Sequence, residues 1–202
     1  MATFEAIFLK INEIPNSRFF QNIRSLLQKN GLRFSTDSIF RFQENYSWIQ
    51  IQELPWITHL LEKKDTDFVP KFASVLSDNY QTEIVCLYTQ TVVDAVGYWH
   101  FENGNEKRCL IHGFYQERIW EAVRGESEEW ENNLFFDLEQ YSDILLEDDD
   151  FAKEIVEMCK TKQIKLGSGV PFFSGTDIAK IAKHYQLPGF SFSKGWSVEE
   201  KI

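Results

Sequence analysis

Apolar, β-branched and aromatic positions concentrate in residues 82–123, where they predict an antiparallel β-meander. The run TEIVCLYTQTVVDAVGYWHF is followed by Asn103 and Gly104, then by KRCLIHGF and the short run RIWEAV. Asn-Gly between two strand-like runs is a strong hairpin signal, because a type I′ turn needs positive φ at both central positions. We therefore expect this meander to form the centre of the fold.

A two-residue turn at this position also predicts which residues face each other across the hairpin. Tyr98 should face Cys109 on an apolar surface that looks inward. Trp99 should face Arg108 on the opposite surface, with His112 further along it. A tryptophan beside an arginine favours cation–π stacking, which either stabilises the sheet or displays a platform for a ligand.

Two further segments have strand-like patterns. Residues 3–11 carry apolar side chains on both parities, which predicts a strand buried on both faces. Residues 38–53 indicate a second hairpin, since Ile49 and Ile51 in its second arm alternate with glutamines. We expect both segments to join the sheet of the meander.

Apolar positions at helical spacing predict helices on both sides of these strands. Ser17 and Thr176 are candidate N-caps for the first and last of them. Residues 167–175, the only Gly/Ser-rich stretch, predict a loop or linker. The predicted helices cover about 17–30, 55–63, 68–79, 133–147, 151–165 and 176–187.

Together these elements predict an α+β fold with a mainly antiparallel sheet built from the N-terminal strand, the hairpin 38–53 and the meander 82–123, covered by helices. We expect one domain over 1–190, in which 133–190 form a helical flank or a subdomain. Residues 191–202 are expected to be a tail.

Composition narrows the classes of partner. Thirty-one acidic and twenty-one basic residues give a net charge of -10, which repels phosphate backbones and anionic lipids, so nucleic acid and membrane are poor partners. Cys86, Cys109 and Cys159 lie far apart in apolar runs, as reduced thiols do. We expect a cytoplasmic protein without a signal peptide or a membrane span.

Motifs for cofactors and metals do not occur in the sequence. It contains no CxxC, HExxH, calcium loop or phosphate-binding loop, so we expect no cofactor and no metal. The histidines lack a local partner for catalysis. His100 and Asp94 are separated by roughly 20 Å of strand, and Cys109 and His112 point to opposite faces.

The sequence favours a non-enzymatic interaction module with a protein partner or a second copy of itself. Its candidate binding residues are Trp99, Arg108, His112 and Trp130. Trp130 lies in the acidic segment GESEEWE, which predicts a solvated turn or a helix start. The alternative is a small-molecule hydrolase or transferase that combines His100 or His112 with Glu117, Asp94 or Tyr115 from separate segments.

Overall fold

A computed structural model describes residues 3–30, 39–42, 47–52, 68–90, 94–115, 118–146, 150–188 and 198–201. These residues form one antiparallel sheet of eight strands with helices on both faces, so the predicted α+β class is confirmed. The strand order across the sheet is β7-β6-β5-β4-β1-β3-β2-β8. The strands are β1 Thr3–Lys10, β2 Ile39–Phe42, β3 Trp48–Gln52, β4 Glu83–Gln90, β5 Ala95–Glu102, β6 Asn105–His112, β7 Trp120–Gly125 and β8 Val198–Lys201.

The helices of the described residues follow the apolar periodicity in most places. The predicted helix from about 55 to 63 lies outside the described residues. The last strand, β8, lies in the segment that we expected to be a tail. The helices are α1 Ser17–Lys29, α2 Phe68–Tyr80, α3 Glu129–Leu134, α4 Asp150–Thr161 and α5 Asp177–Tyr185, with short 3₁₀ turns at Leu138–Tyr141 and Ile144–Leu146.

The sheet separates two hydrophobic cores, because its central strands are apolar on both faces. In β1, Ile7 and Leu9 pack on a first face with α1 and α2. Ala6 and Phe8 pack on a second face with the C-terminal helices. Burial of β1 on both faces confirms the prediction from its two apolar parities, and it places the helices after β7 together on the second face.

The predicted turn is present, but the predicted register is wrong beyond its first two pairs. Asn103 and Gly104 have positive φ angles of 49° and 83°, as a type I′ turn requires. A register shift between His100 and Phe101 then leaves Lys107 as an extra residue on β6.

As a result, Trp99 pairs with Cys109 and His100 pairs with Arg108, whereas Tyr98 pairs with Leu110. Trp99 and Cys109 lie in the first core, and Tyr98 lies in the second. Tyr98 and Cys109 therefore lie on opposite faces of the sheet, and the prediction that they share one face is wrong. The predicted stacking of Trp99 on Arg108 is also wrong, because Trp99 pairs with Cys109.

Local hydrogen bonds explain two further corrections. The helix predicted over 133–147 is interrupted, because the Asp137 side chain accepts a hydrogen bond from the backbone N–H of Glu139 and begins a 3₁₀ turn. The N-cap of α1 is Asn16, whose side chain accepts from the N–H of Phe19, and Ser17 is already helical.

Candidate functional site

Polar side chains from four elements meet on the second face of the sheet. Alternation along β5 directs Tyr98 and His100 to this face, and pairing with β6 places Arg108 beside His100. The start of α3 and the end of α5 cover them. We call the group of Tyr98, His100, Glu128, Trp130 and Tyr185 the Glu128 cluster.

A buried ion pair holds α3 to β6 next to this cluster. The Arg108 Nε donates to Glu131 Oε1 at 2.8 Å, and Nη2 donates to Oε2 at 2.6 Å. The Arg108 Nη1 donates to the carbonyl of Gly125 at 2.7 Å. Burial raises the pKa of Glu131, and Arg108 opposes that shift. Glu131 also accepts from the N–H of Glu128 at 2.9 Å, which completes a capping box at the start of α3.

The Glu128 carboxylate is the centre of the cluster. Its Oε2 accepts from Trp130 Nε1 at 2.6 Å, from the Tyr185 hydroxyl at 2.8 Å and from the Tyr98 hydroxyl. Its Oε1 lies 2.6 Å from Nδ1 of His100. Burial alone would raise the pKa of Glu128, but these hydrogen bonds and the His100 charge outweigh burial and lower the pKa to about 2. The carboxylate is therefore ionised and accepts from every neighbour.

The two tyrosines remain protonated donors. Burial, followed by the negative charge of Glu128, raises the pKa of Tyr98 and of Tyr185 well above the ordinary value for tyrosine. Because Glu128 is ionised, the Nδ1 of His100 carries a proton toward it. The Nε2 of His100 is buried and has no hydrogen-bond partner within the described residues. The cluster therefore resembles an oriented acid–base pair, but its outward nitrogen is shielded from solvent.

A groove of about 410 Å³ opens beside the cluster, between α3 and α5. Its apolar floor is formed by Trp130 and Leu134, which are only 5% and 7% exposed. Its rim on α5 carries Lys180, Lys183 and His184, which are all exposed. We call this feature the α3–α5 groove. Trp130 belongs to both features, because its indole N–H binds Glu128 while its ring lines the groove.

The four predicted binding residues fall into three environments. Arg108 and Trp130 lie at the Glu128 cluster and its neighbouring ion pair. Trp99 lies on the first face, where its ring contacts Phe114. His112 lies on the second face, completely buried beneath the rings of Trp120 and Phe172.

Of the residues named for the enzymatic alternative, the structure brings Asp94 close to His112 without a side-chain hydrogen bond to the ring of His112 within the described residues. Neither ring nitrogen of His112 makes a hydrogen bond of normal geometry to the described residues, although backbone groups of Asp94 and Arg118 lie close. Burial lowers the pKa of His112 against the opposing effect of Asp94. Glu117 lies outside the described residues. His100 instead meets Glu128.

Sequence reasoning missed Glu128, Tyr185 and the lysines of the rim. Glu128 and Glu131 have the three-residue spacing of a capping box, which was a usable local signal for the start of α3. Tyr185 lies 57 residues from Glu128, and no local pattern links them. The acidic segment was predicted to be solvated, but Glu131 is completely buried.

Comparison of the chain with protein-family models, with curated proteins and with solved structures finds no match to any of them. Within the described ranges, no helix combines the length and apolar character needed to cross a membrane. In that same part of the chain, no three His, Cys, Asp or Glu side chains are grouped to hold a metal ion. The groove and the cluster are therefore the features of the described residues from which a function can be inferred.

Proposed function

We propose that this protein is a non-enzymatic interaction module that binds a segment of another protein in the α3–α5 groove. The proposal is supported by one hydrogen-bond acceptor that connects the two walls of the groove, α3 and α5. A single oxygen, Oε2 of Glu128, accepts hydrogen bonds from Trp130 at the start of α3 and from Tyr185 at the end of α5. The groove is therefore braced before any partner arrives.

Bracing matters for affinity, because ordering side chains and loops during binding opposes association. Here the indole of Trp130 already has its hydrogen-bond partner, and α3 is already anchored through Glu131 and Arg108. Because only small parts of Trp130 and Leu134 are exposed, a partner that covers them would benefit chiefly from a floor that needs no reordering, and only slightly from apolar surface removed from water.

The alternative, a hydrolase or transferase, has less support from the same residues. A catalytic base must approach the proton that it removes within hydrogen-bond distance. The His100 nitrogen that is free for this task, Nε2, is buried, and its Nδ1 is engaged by Glu128. This arrangement suits a brace between helices better than a reacting group.

The proposal can be tested with a displayed library of random peptides of about 12 residues, a length that suits helix-in-groove binding. Enriched peptides would be titrated by fluorescence anisotropy against the wild type, Asn133→Trp and Asn79→Trp. Asn133 is an exposed residue of the groove lining, and Asn79 is an exposed helical residue of α2 on the opposite face.

We expect Asn133→Trp to weaken binding about tenfold by filling the groove, and Asn79→Trp to leave it unchanged. Hydrogen exchange should slow in α3 and α5 on peptide binding and remain unchanged in α1. A library without enriched binders, or binders that tolerate Asn133→Trp, would overturn the proposal.

A further inference from the structure

We infer that the partner segment of the α3–α5 groove is acidic, an inference that rests on the proposed function. The chain carries a net charge of -10, yet the groove rim on α5 presents Lys180, Lys183 and His184. Residues three and four apart lie on the same side of a helix. A basic rim therefore follows one wall of a groove in an otherwise acidic protein.

The positive charge of the rim is only partly neutralised inside the chain. Lys180 binds Asp177 through a 3.0 Å contact, and its side chain is 65% exposed. Lys183 is exposed and makes no ion pair with any residue that the structure describes. Of the acids at the start of α3, Glu128 binds the cluster and Glu131 binds Arg108, whereas Glu129 is exposed and does not line the groove. Lys183 is therefore available to a carboxylate of the partner.

The length of α5, the longer wall of the groove, limits the contact to a short segment. α5 has nine residues, which correspond to a length of about 13 Å. An amphipathic helix of two to three turns could place apolar side chains at i, i+3 and i+4 over Trp130 and Leu134. Its acidic side chains would then face α5. A second copy of this chain is a less suitable occupant, because the net negative charges of the two copies repel each other. Only a contact between acidic residues of the second copy and the basic rim would be attractive.

Three synthetic amphipathic peptides of about 14 residues would test the inference, with identical Leu positions and with Glu, Gln or Lys at all polar positions. In about 0.15 M salt, we expect the Glu peptide to bind about tenfold more tightly than the Lys peptide, as measured by fluorescence anisotropy. The double variant Lys180→Glu/Lys183→Glu should reverse this preference. The variant Lys180→Gln/Lys183→Gln should abolish it if the double reversal fails to fold.

A matched control is available on α4. Lys153 has the same side-chain exposure of 65% and pairs with Asp150 three residues earlier, as Lys180 pairs with Asp177. The variant Lys153→Glu/Lys160→Glu changes the net charge by the same amount and should keep the preference for the Glu peptide. Reversal by this control would mean that net charge acts at a distance, and it would overturn the inference.

The remaining outcomes distinguish a failure of this inference from a failure of the proposed function. Equal binding of the three peptides, together with sensitivity to Asn133→Trp, would overturn the acidic partner and leave the interaction module standing. Absence of any peptide binding in the groove would overturn both the acidic partner and the interaction module. Sedimentation that shows a dimer disrupted by Lys180→Glu/Lys183→Glu would make a second copy the occupant and would also overturn the inference.

Discussion

Arg108 and Glu131 form a bidentate ion pair between β6 and α3, with side chains that are 4% and 0% exposed. The two residues are separated by 23 positions in the chain, and their pairing fixes the helix that supplies Trp130 to the groove. A pair of buried charges becomes costly when one partner is removed, because the other charge remains desolvated.

We therefore expect Arg108→Met to lower the free energy of unfolding by about 3–5 kcal/mol in urea titrations. The double variant Arg108→Met/Glu131→Leu should regain much of this loss, since no buried charge remains unpaired. Arg124→Met provides a control at the more exposed pair with Glu106, where the expected loss is at most about 1 kcal/mol. Equal losses for the two single variants would contradict the prediction.

The low pKa of Glu128 predicts an acid-sensitive part of the stability. The carboxyl has an ordinary pKa of 4.5 and a pKa of about 2 in the folded protein, so the folded state binds this proton less tightly than the unfolded state. Its stabilisation is fully present above pH 4.5 and is lost as the pH falls toward 2.

Glu128→Gln should cost about 1–3 kcal/mol at neutral pH, because its neutral amide accepts fewer hydrogen bonds from the cluster. Urea unfolding between about pH 6 and pH 3 should show a shallower decline for this variant than for the wild type. Glu139→Gln, at an exposed position, should keep the wild-type slope. Parallel curves for Glu128→Gln and the wild type would exclude Glu128 as the source.

Buried His112 predicts a second pH effect in a different range. Burial lowers its pKa below the ordinary value of 6.5, so the unfolded chain takes up the proton at a higher pH than the folded protein does. Stability should therefore fall as the pH decreases from 6.5 toward the lower pKa of the folded state.

In His112→Phe this loss should disappear, so the free energy of unfolding of the variant should rise relative to that of the wild type as the pH falls below about 6.5. Chemical denaturation from about pH 8 to pH 5 would measure the difference. His184→Gln tests whether an exposed histidine has the same effect, which we do not expect. If His112→Phe and the wild type decline equally between these values, the assignment to His112 is wrong.

Two glycines with the same backbone conformation provide a test of steric crowding. Gly125 and Gly167 have φ angles of 81° and 80°. A Cβ at Gly125 would approach the carbonyl oxygen of Lys107 to 1.9 Å, whereas a Cβ at Gly167 would have no heavy atom within 4 Å.

Gly167→Ala should therefore cost only the backbone strain of about 1–2 kcal/mol. Gly125→Ala should cost this amount and about 1–3 kcal/mol more, because the end of β7 must move away from β6. Thermal or urea unfolding of the two variants gives the comparison. Similar losses would show that the clash at Gly125 relaxes without cost.

Local patterns predicted the strands and most of the helices because each depends on a short stretch of chain. The two apolar parities of β1 were enough to predict its burial on both faces, and Asn103-Gly104 was enough to predict the turn. The register failed because the extra residue at Lys107 moves every later pair by one position. A bulge of this kind leaves no clear mark in the pattern of apolar residues.

The candidate site was only partly predictable for the same reason. Arg108 was selected from the sequence for a face shared with Trp99, which the observed register does not form, and Trp130 was selected as part of the acidic segment 125–131. The acidic segment around Trp130 was expected to meet solvent, since charged residues are usually exposed. Glu131 is buried together with Arg108, whose charge partly compensates that of the carboxylate, and this arginine comes from strand β6, 23 residues earlier in the chain.

The α+β class, the meander and its turn could be read from the amino-acid sequence, because apolar periodicity and turn chemistry act over a few neighbouring residues. The contacts of Glu128 with Tyr98, His100, Trp130 and Tyr185, and the groove beside them with its lysines, became visible in the folded chain alone. Hydrogen bonds and ion pairs between distant segments depend on strand register and helix packing. One inserted residue in β6 changes which side chains share a face, and local patterns do not contain that information.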